Sequence, residues 1–210
     1  MKIKIPTDWS QISVEQWMHA TRVQSDRFEV VAAVTGLTVE ELRQASELAM
    51  TNAHAAVMNL LNKKPSRLYR EFKLDGETLT FIPDWADFTA GEYADAEYFA
   101  SNIDTMAHEF LSVMYRKADK SNPWKTRLVP YGGPIGADRF KKVPADVLGG
   151  CFLFFYLIDE HYRNGTLQYL AAAALAKSRL STGGITPSIS LRARMQHAWR
   201  RWKNGLWKGH

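Results

Sequence analysis

Apolar residues recur at helical spacing along most of the chain, and capping residues mark where each run begins. Ser13 followed by Gln16 is a capping box, with Val14, Trp17, Met18 and Val23 on one face behind it. A first helix is therefore predicted from about Ser13, with Trp9 and Ile12 packed beneath it. Asp26 caps a short second helix carrying Phe28, Val30, Val31 and Val34, which Gly36 ends. Thr38 with Glu41 opens a third, with Leu42, Ala45 and Leu48 on one face. Residues 51–63 continue the helical pattern through Ala55, Val57, Met58, Leu60 and Leu61 until Pro65 closes it.

Between Tyr69 and Trp85 the period changes. Phe72, Leu74, Leu79 and Phe81 alternate with polar neighbours about Asp75-Gly76, which predicts a β-hairpin near 70–83. Short strands in a helical context imply one isolated ribbon packed on helices. Residues 89–102 read as a helix with Tyr93, Ala96, Glu97 and Phe99, and residues 103–117 as a core helix with Met106, Phe110, Leu111, Val113 and Met114. Residues 118–136 hold three prolines and three glycines and read as a long irregular loop. Residues 145–163 are apolar on nearly all sides, as expected of a central helix, and Asn164-Gly165 stops them. Residues 166–180 are Ala-rich and helical, with Leu167, Leu170, Ala174 and Leu175 facing inward.

The fold class is thus mainly α: a multi-helix globular bundle with one short β-hairpin and a C-terminal amphipathic basic helix. Residues 1–180 form the helical domain, with the hairpin near 70–83 and the long loop near 118–136. Residues 181–188, STGGITPS, are a flexible joint, and residues 189–210 a basic, Trp-rich terminal helix.

Composition sharpens this picture in two places. Hydrophobic content of 46% and charged content of 23% are ordinary for a globular chain, but seven Trp and 12% aromatic residues are many, and most should be core. Cys151 is the only cysteine and sits in an apolar run, so an intramolecular disulfide is impossible and a buried thiol is expected. The start, MKIKIPTDWS, lacks the apolar stretch of a signal peptide, and no apolar run approaches the roughly 20 residues of a membrane span. A cytoplasm, or a particle assembled there, is the expected setting.

Charge is distributed unevenly. The last fifty residues contain nine Lys or Arg and no Asp or Glu, which leaves 18 basic against 22 acidic residues in the first 160. A mildly acidic body therefore carries a basic tail. In that tail Leu191, Met195, Ala198, Trp199, Trp202 and Leu206 fall on one helical stripe opposite Arg192, Arg194, Arg200, Arg201 and Lys203. Four readings of the segment stay open. It folds back on the acidic body with Arg and Lys stems over apolar surface; it docks into a partner's groove; it lies on nucleic acid; or it lies on an anionic membrane surface. The partner-binding strip is assigned to Arg194, Met195, Trp199, Arg200, Arg201, Trp202 and Lys203, with Met195 as an apolar anchor.

Catalytic chemistry finds no comparable pattern. His54, His108 and His161 stand on separate predicted helices, none with a second His or Cys at ligand spacing, so no metal site is expected. Asp104 with Glu109, and Asp159 with Glu160 and His161, are read as solvated helix polarity rather than acid–base pairs. Residues 131–136, YGGPIG, lack the Gly-Lys-Ser/Thr ending and the preceding strand of a phosphate loop, and read as a turn. Neither an enzyme nor a bound cofactor is expected.

The middle of the chain carries a resemblance. FKLDGETLTFIPDWADFTAGEYADAEYF, then FLSVMYRKAD, then YGGPIGADRFKKVPADVLGGCFLFFYLIDEHY, covering residues 72–162, resemble assembly proteins of tailed bacteriophages of the tail assembly chaperone-like kind. The matching features are the hairpin, the stretch from Thr89 to Asp95, Met114-Tyr115-Arg116, Arg139-Phe140 and Phe154-Phe155. The resemblance implies a non-enzymatic protein that coats a helical tape-measure protein until tail tube subunits replace it. The implied partners are phage structural or tail proteins or further copies of this chain; nucleic acid is a candidate partner through the basic residues of the tail itself. The implied setting is the host cytoplasm during assembly, or the virion. Its alternative is a structural component of the portal, neck or tail that contacts neighbouring subunits or packaged DNA. No catalytic residue is carried over, and the basic tail departs from the resemblance.

Overall fold

The computed structural model describes residues 3–63, 67–82, 89–119 and 127–153. The N-terminal half is built from capped helices. Ser13 Oγ accepts the Gln16 N–H at 3.1 Å and Gln16 Oε1 accepts the Ser13 N–H at 2.9 Å, which starts α1 (Val14–Arg22). Asp26 caps α2 (Arg27–Thr35), and Gly36 ends it at φ 73°, a left-handed position a glycine adopts without cost. Thr38 and Glu41 form a second capping box at α3 (Val39–Arg43).

The third helix is shorter than the sequence pattern implies. It stops after little more than one turn, and Ser46 accepts the Ala49 N–H to begin α4 (Glu47–Leu61). The new cap breaks the register between the two helices. Leu48, expected on the inner face with Leu42, is consequently 72% exposed.

Two further helices, α5 (Ala90–Ser101) and α6 (Ile103–Met114), pack on each other, and α6 also packs on α1. The hairpin is present as β1 (Glu71–Leu74) and β2 (Glu77–Phe81). Asp75 and Gly76 turn it at φ 50° and 79°, the positive pair a two-residue hairpin turn uses to match strand twist.

The ribbon is not isolated. The helix expected over 103–117 ends at Met114, and β3 (Tyr115–Asp119) pairs antiparallel with β2. β4 (Arg127–Leu128), inside the expected loop 118–136, pairs with β3 in turn. The single short hairpin is therefore half of a four-stranded antiparallel meander in the order β1-β2-β3-β4. Non-local packing overrides local helical preference here. The Tyr115 ring meets the edges of Phe72 and Phe81 at 4.8 and 5.2 Å, its hydroxyl donates to the Tyr69 carbonyl at 2.7 Å, and the Met114 carbonyl accepts the Ile82 N–H. A helix continued through Tyr115 would forfeit all of these.

A 3-10 helix (Ala137–Lys142) leads into a helix, α7, described over residues 145–153. The entries to α1 and α7 are tied together by Val14 N–H donating to the Val143 carbonyl and Ala145 N–H donating to the Ile12 carbonyl. One apolar core joins Trp9, Trp17, Val57, Phe110, Leu148 and Phe152. Trp9 Nε1 donates to the Leu60 carbonyl at 2.6 Å. Cys151 lies in this core as expected, and burial pushes its thiol well above the ordinary range. Among the described residues no helix is long and apolar enough to cross a membrane. The readings made for residues 154–180, the joint 181–188 and the terminal segment 189–210 lie outside the described residues.

Candidate functional site

The switch from α6 into β3 sets alternate side chains on opposite faces of the sheet. Tyr115 turns into the core, and the next residue, Arg116, turns toward the start of α5. There the Thr89 capping box has placed Glu92, only 1% exposed. Glu92 Oε2 accepts the Thr89 N–H at 2.6 Å while Oε1 meets Arg116 Nη2 at 2.5 Å. One carboxylate thus starts a helix and neutralises a largely buried guanidinium. Burial lowers the Arg116 pKa and the Glu92 charge opposes that shift.

Arg116 Nη1 donates to the Val129 carbonyl at 3.0 Å, and its guanidinium lies 5.8 Å from the Tyr131 ring centre. Tyr131 in turn donates to Asp95 Oδ2 at 2.6 Å, one turn beyond Glu92 on α5. Burial, then the Asp95 bond, holds the Tyr131 hydroxyl protonated far above the usual tyrosine range. These bonds fasten the segment leaving β4 across the end of α5.

A cleft of about 220 Å³ opens beside this junction. Tyr115 and Phe140 line its inner side, and Val129, Pro130, Tyr131 and Ile135 its lip. Ile135 is 88% exposed and Val129 42%. Among the described residues three cations line it, Arg116, Lys117 and Arg139, and no Asp or Glu does. The two outer cations share one carboxylate from β2: Lys117 Nζ lies 2.9 Å from Glu77 Oε1 and Arg139 Nη1 lies 2.8 Å from Glu77 Oε2. The two bonds hold the Glu77 carboxyl down to about 2, the Arg139 bond being the larger cause. Residues 131–136, read as a turn, form the cleft lip and deliver the chain through Gly133 and Gly136, both at positive φ, into the 3-10 helix.

A second polar cluster lies between α6, α1 and the 3-10 helix. His108, 7% exposed, has Nδ1 2.9 Å from Glu109 Oε2 and Nε2 3.8 Å from Asp138 Oδ1. Neither His108 Nδ1 nor Glu109 Oε2 makes a well-formed hydrogen bond. Burial, with help from Lys141, lowers the His108 pKa against the opposing pull of Glu109, Asp138 and Glu15. Asp104 is exposed on α6, and His54 is half-buried on α4. Among the described residues no group of three or more His, Cys, Asp or Glu could hold a metal ion.

The strip assigned from sequence, Arg194, Met195, Trp199, Arg200, Arg201, Trp202 and Lys203, lies outside the described residues, as does the cluster at Asp159, Glu160 and His161. The sequence assigned no binding role to Arg116 and Arg139, which line the cleft, or to their partners Glu92 and Glu77, although Glu92 stands at the third position after the Thr89 cap. No family model matches the chain, and neither curated proteins nor solved structures give a match.

Proposed function

We propose that this chain is a non-enzymatic bacteriophage tail assembly protein, chaperone-like, that binds a tail protein of the tape-measure type during morphogenesis. The observation that carries the reading is the charge partition: nine basic and no acidic residues in the last fifty, behind a body with 18 basic and 22 acidic residues. A basic, Trp-bearing segment that follows an acidic body in the sequence suits reversible capture of another protein, because Trp and Arg concentrate binding energy in few contacts. The resemblance of residues 72–162 to tail assembly chaperone-like proteins supports the phage setting, and the helix-rich body is compatible with it. The same basic terminus also suits a structural component of the portal, neck or tail, reaching a neighbouring subunit or packaged DNA.

Mass spectrometry of purified mature particles and of gradient fractions from the lysate tests the reading. A chaperone is absent from particles and enriched with tail precursors, whereas a fixed copy number in the particle establishes the structural alternative. Reversing Arg200 and Arg201 to Glu weakens recovery of the partner and leaves the melting temperature nearly unchanged. A large loss of stability would instead show that the tail folds back on the body.

A further inference from the structure

Among the described residues, the three cations of the cleft beside β3 outnumber their carboxylate partners by one. Lys117 and Arg139 converge on a single carboxylate, Glu77, at 2.9 and 2.8 Å, and Arg116 behind them is already neutralised by Glu92. The outer triplet of two cations and one anion therefore keeps a net positive charge facing the cleft, where among the described residues no acidic side chain lines the wall. Lys117 and Glu77 are both partly open to solvent, so neither is locked in place. Above them the lip is apolar: Val129, Pro130 and the 88% exposed Ile135. A cationic wall beside an apolar lip fits a chain that presents a carboxylate and an apolar side chain side by side.

We infer that this cleft binds an acidic, apolar-flanked segment of a partner protein, whose carboxylate pairs with Arg139 and Lys117 while its apolar neighbour rests on Ile135 and Val129. The inference rests on the partner-binding reading above in taking the ligand to be protein, and adds a contact on the body distinct from the basic tail. Charge complementarity admits either polyanion, and the apolar lip favours this occupant over a nucleic acid. A peptide can set an apolar side chain next to its carboxylate, matching the exposed Ile135 and Val129 beside Lys117 and Arg139, whereas a phosphodiester chain flanks each charge with polar sugars. In this arrangement Glu77 is an internal competitor that occupies the cations until a partner carboxylate arrives.

The test uses the full chain and a fluorescein-labelled hexapeptide of alternating leucine and glutamate, read by fluorescence anisotropy against its leucine–glutamine counterpart. The glutamate peptide binds and the glutamine peptide does not. Lys117→Gln with Arg139→Gln weakens binding roughly tenfold, the scale of lost charge-assisted bonds. Glu77→Gln tightens it, because both cations are released to the ligand; a merely structural Glu77 would lower stability without tightening anything. Glu77→Gln also keeps the inference falsifiable should the double variant fail to fold. Tightening by Glu77→Gln is a readout that only the cleft can supply, which separates failure of the cleft from failure of the tail. Equal binding of the glutamine peptide, no gain with Glu77→Gln, or tighter binding of a hexameric oligodeoxythymidine would each overturn the inference.

Discussion

Replacing Gly150 by Ala sets two effects of opposite sign against each other. Gly150 lies in α7, where a helical glycine costs about 1 kcal/mol relative to alanine, so in open space the substitution would stabilise the protein. The space is not open. A Cβ at Gly150 would fall 2.6 Å from the Arg67 carbonyl oxygen and 3.1 Å from the Leu68 Cα, both backbone atoms. That strand of chain has little freedom to retreat. The Tyr69 hydroxyl donates to Asp146 on α7, the Tyr69 carbonyl accepts the Tyr115 hydroxyl, and the Arg70 carbonyl accepts the Phe81 N–H. Overpacking against fixed backbone costs roughly 1–3 kcal/mol and outweighs the helical gain. Net destabilisation of about 1 kcal/mol is expected, a fall in Tm of roughly 2–4 °C for a chain of this size. Gly91 on α5 supplies the control, because a Cβ there meets nothing within 4 Å. Gly91→Ala should stabilise by up to about 1 kcal/mol. Urea unfolding followed by circular dichroism measures both. Stabilisation by Gly150→Ala would refute the close packing of α7 on the segment before β1.

Glu92→Gln keeps a capping side chain but removes the charge beside Arg116; with Arg116 only 14% exposed, the unpaired guanidinium should cost about 3 kcal/mol, seen as an earlier urea midpoint at unchanged slope. The pH dependence follows from His108, whose pKa is lowered by burial below the ordinary 6.5. The unfolded chain then holds the extra proton, so stability falls as pH drops below about 6.5 and levels off below the folded pKa. His108→Gln should flatten that slope in urea midpoints taken between pH 7 and 5, and an unchanged slope would place its origin elsewhere.

The helix starts were legible because their determinants are close in sequence. Ser13 with Gln16, Asp26 with Phe28, Thr38 with Glu41 and Thr89 with Glu92 close their bonds within three residues, and Asp75-Gly76 sets its turn by its own backbone angles. The charge partition between body and tail is likewise a property of the sequence alone. Where two local signals competed, the pattern misled. Leu48 follows the spacing of the preceding helix, yet the Ser46 cap restarts the helix and turns it outward.

Tertiary structure decided the rest because the deciding contacts cross the chain. Tyr115 to Asp119 carry no pattern that forbids helix, and they become a strand only because β2 offers Leu79, Thr80 and Phe81 as partners. The cleft depends on Glu77, Lys117 and Arg139, which come from β2, β3 and the 3-10 helix and are scattered over sixty-two positions of sequence. The need for Gly150 appears only once the Arg67 carbonyl is placed against it. Hydrogen bonds between near neighbours are written into spacing and composition. Pairings between distant residues exist only once the chain has folded and brought one charge, ring or carbonyl against another.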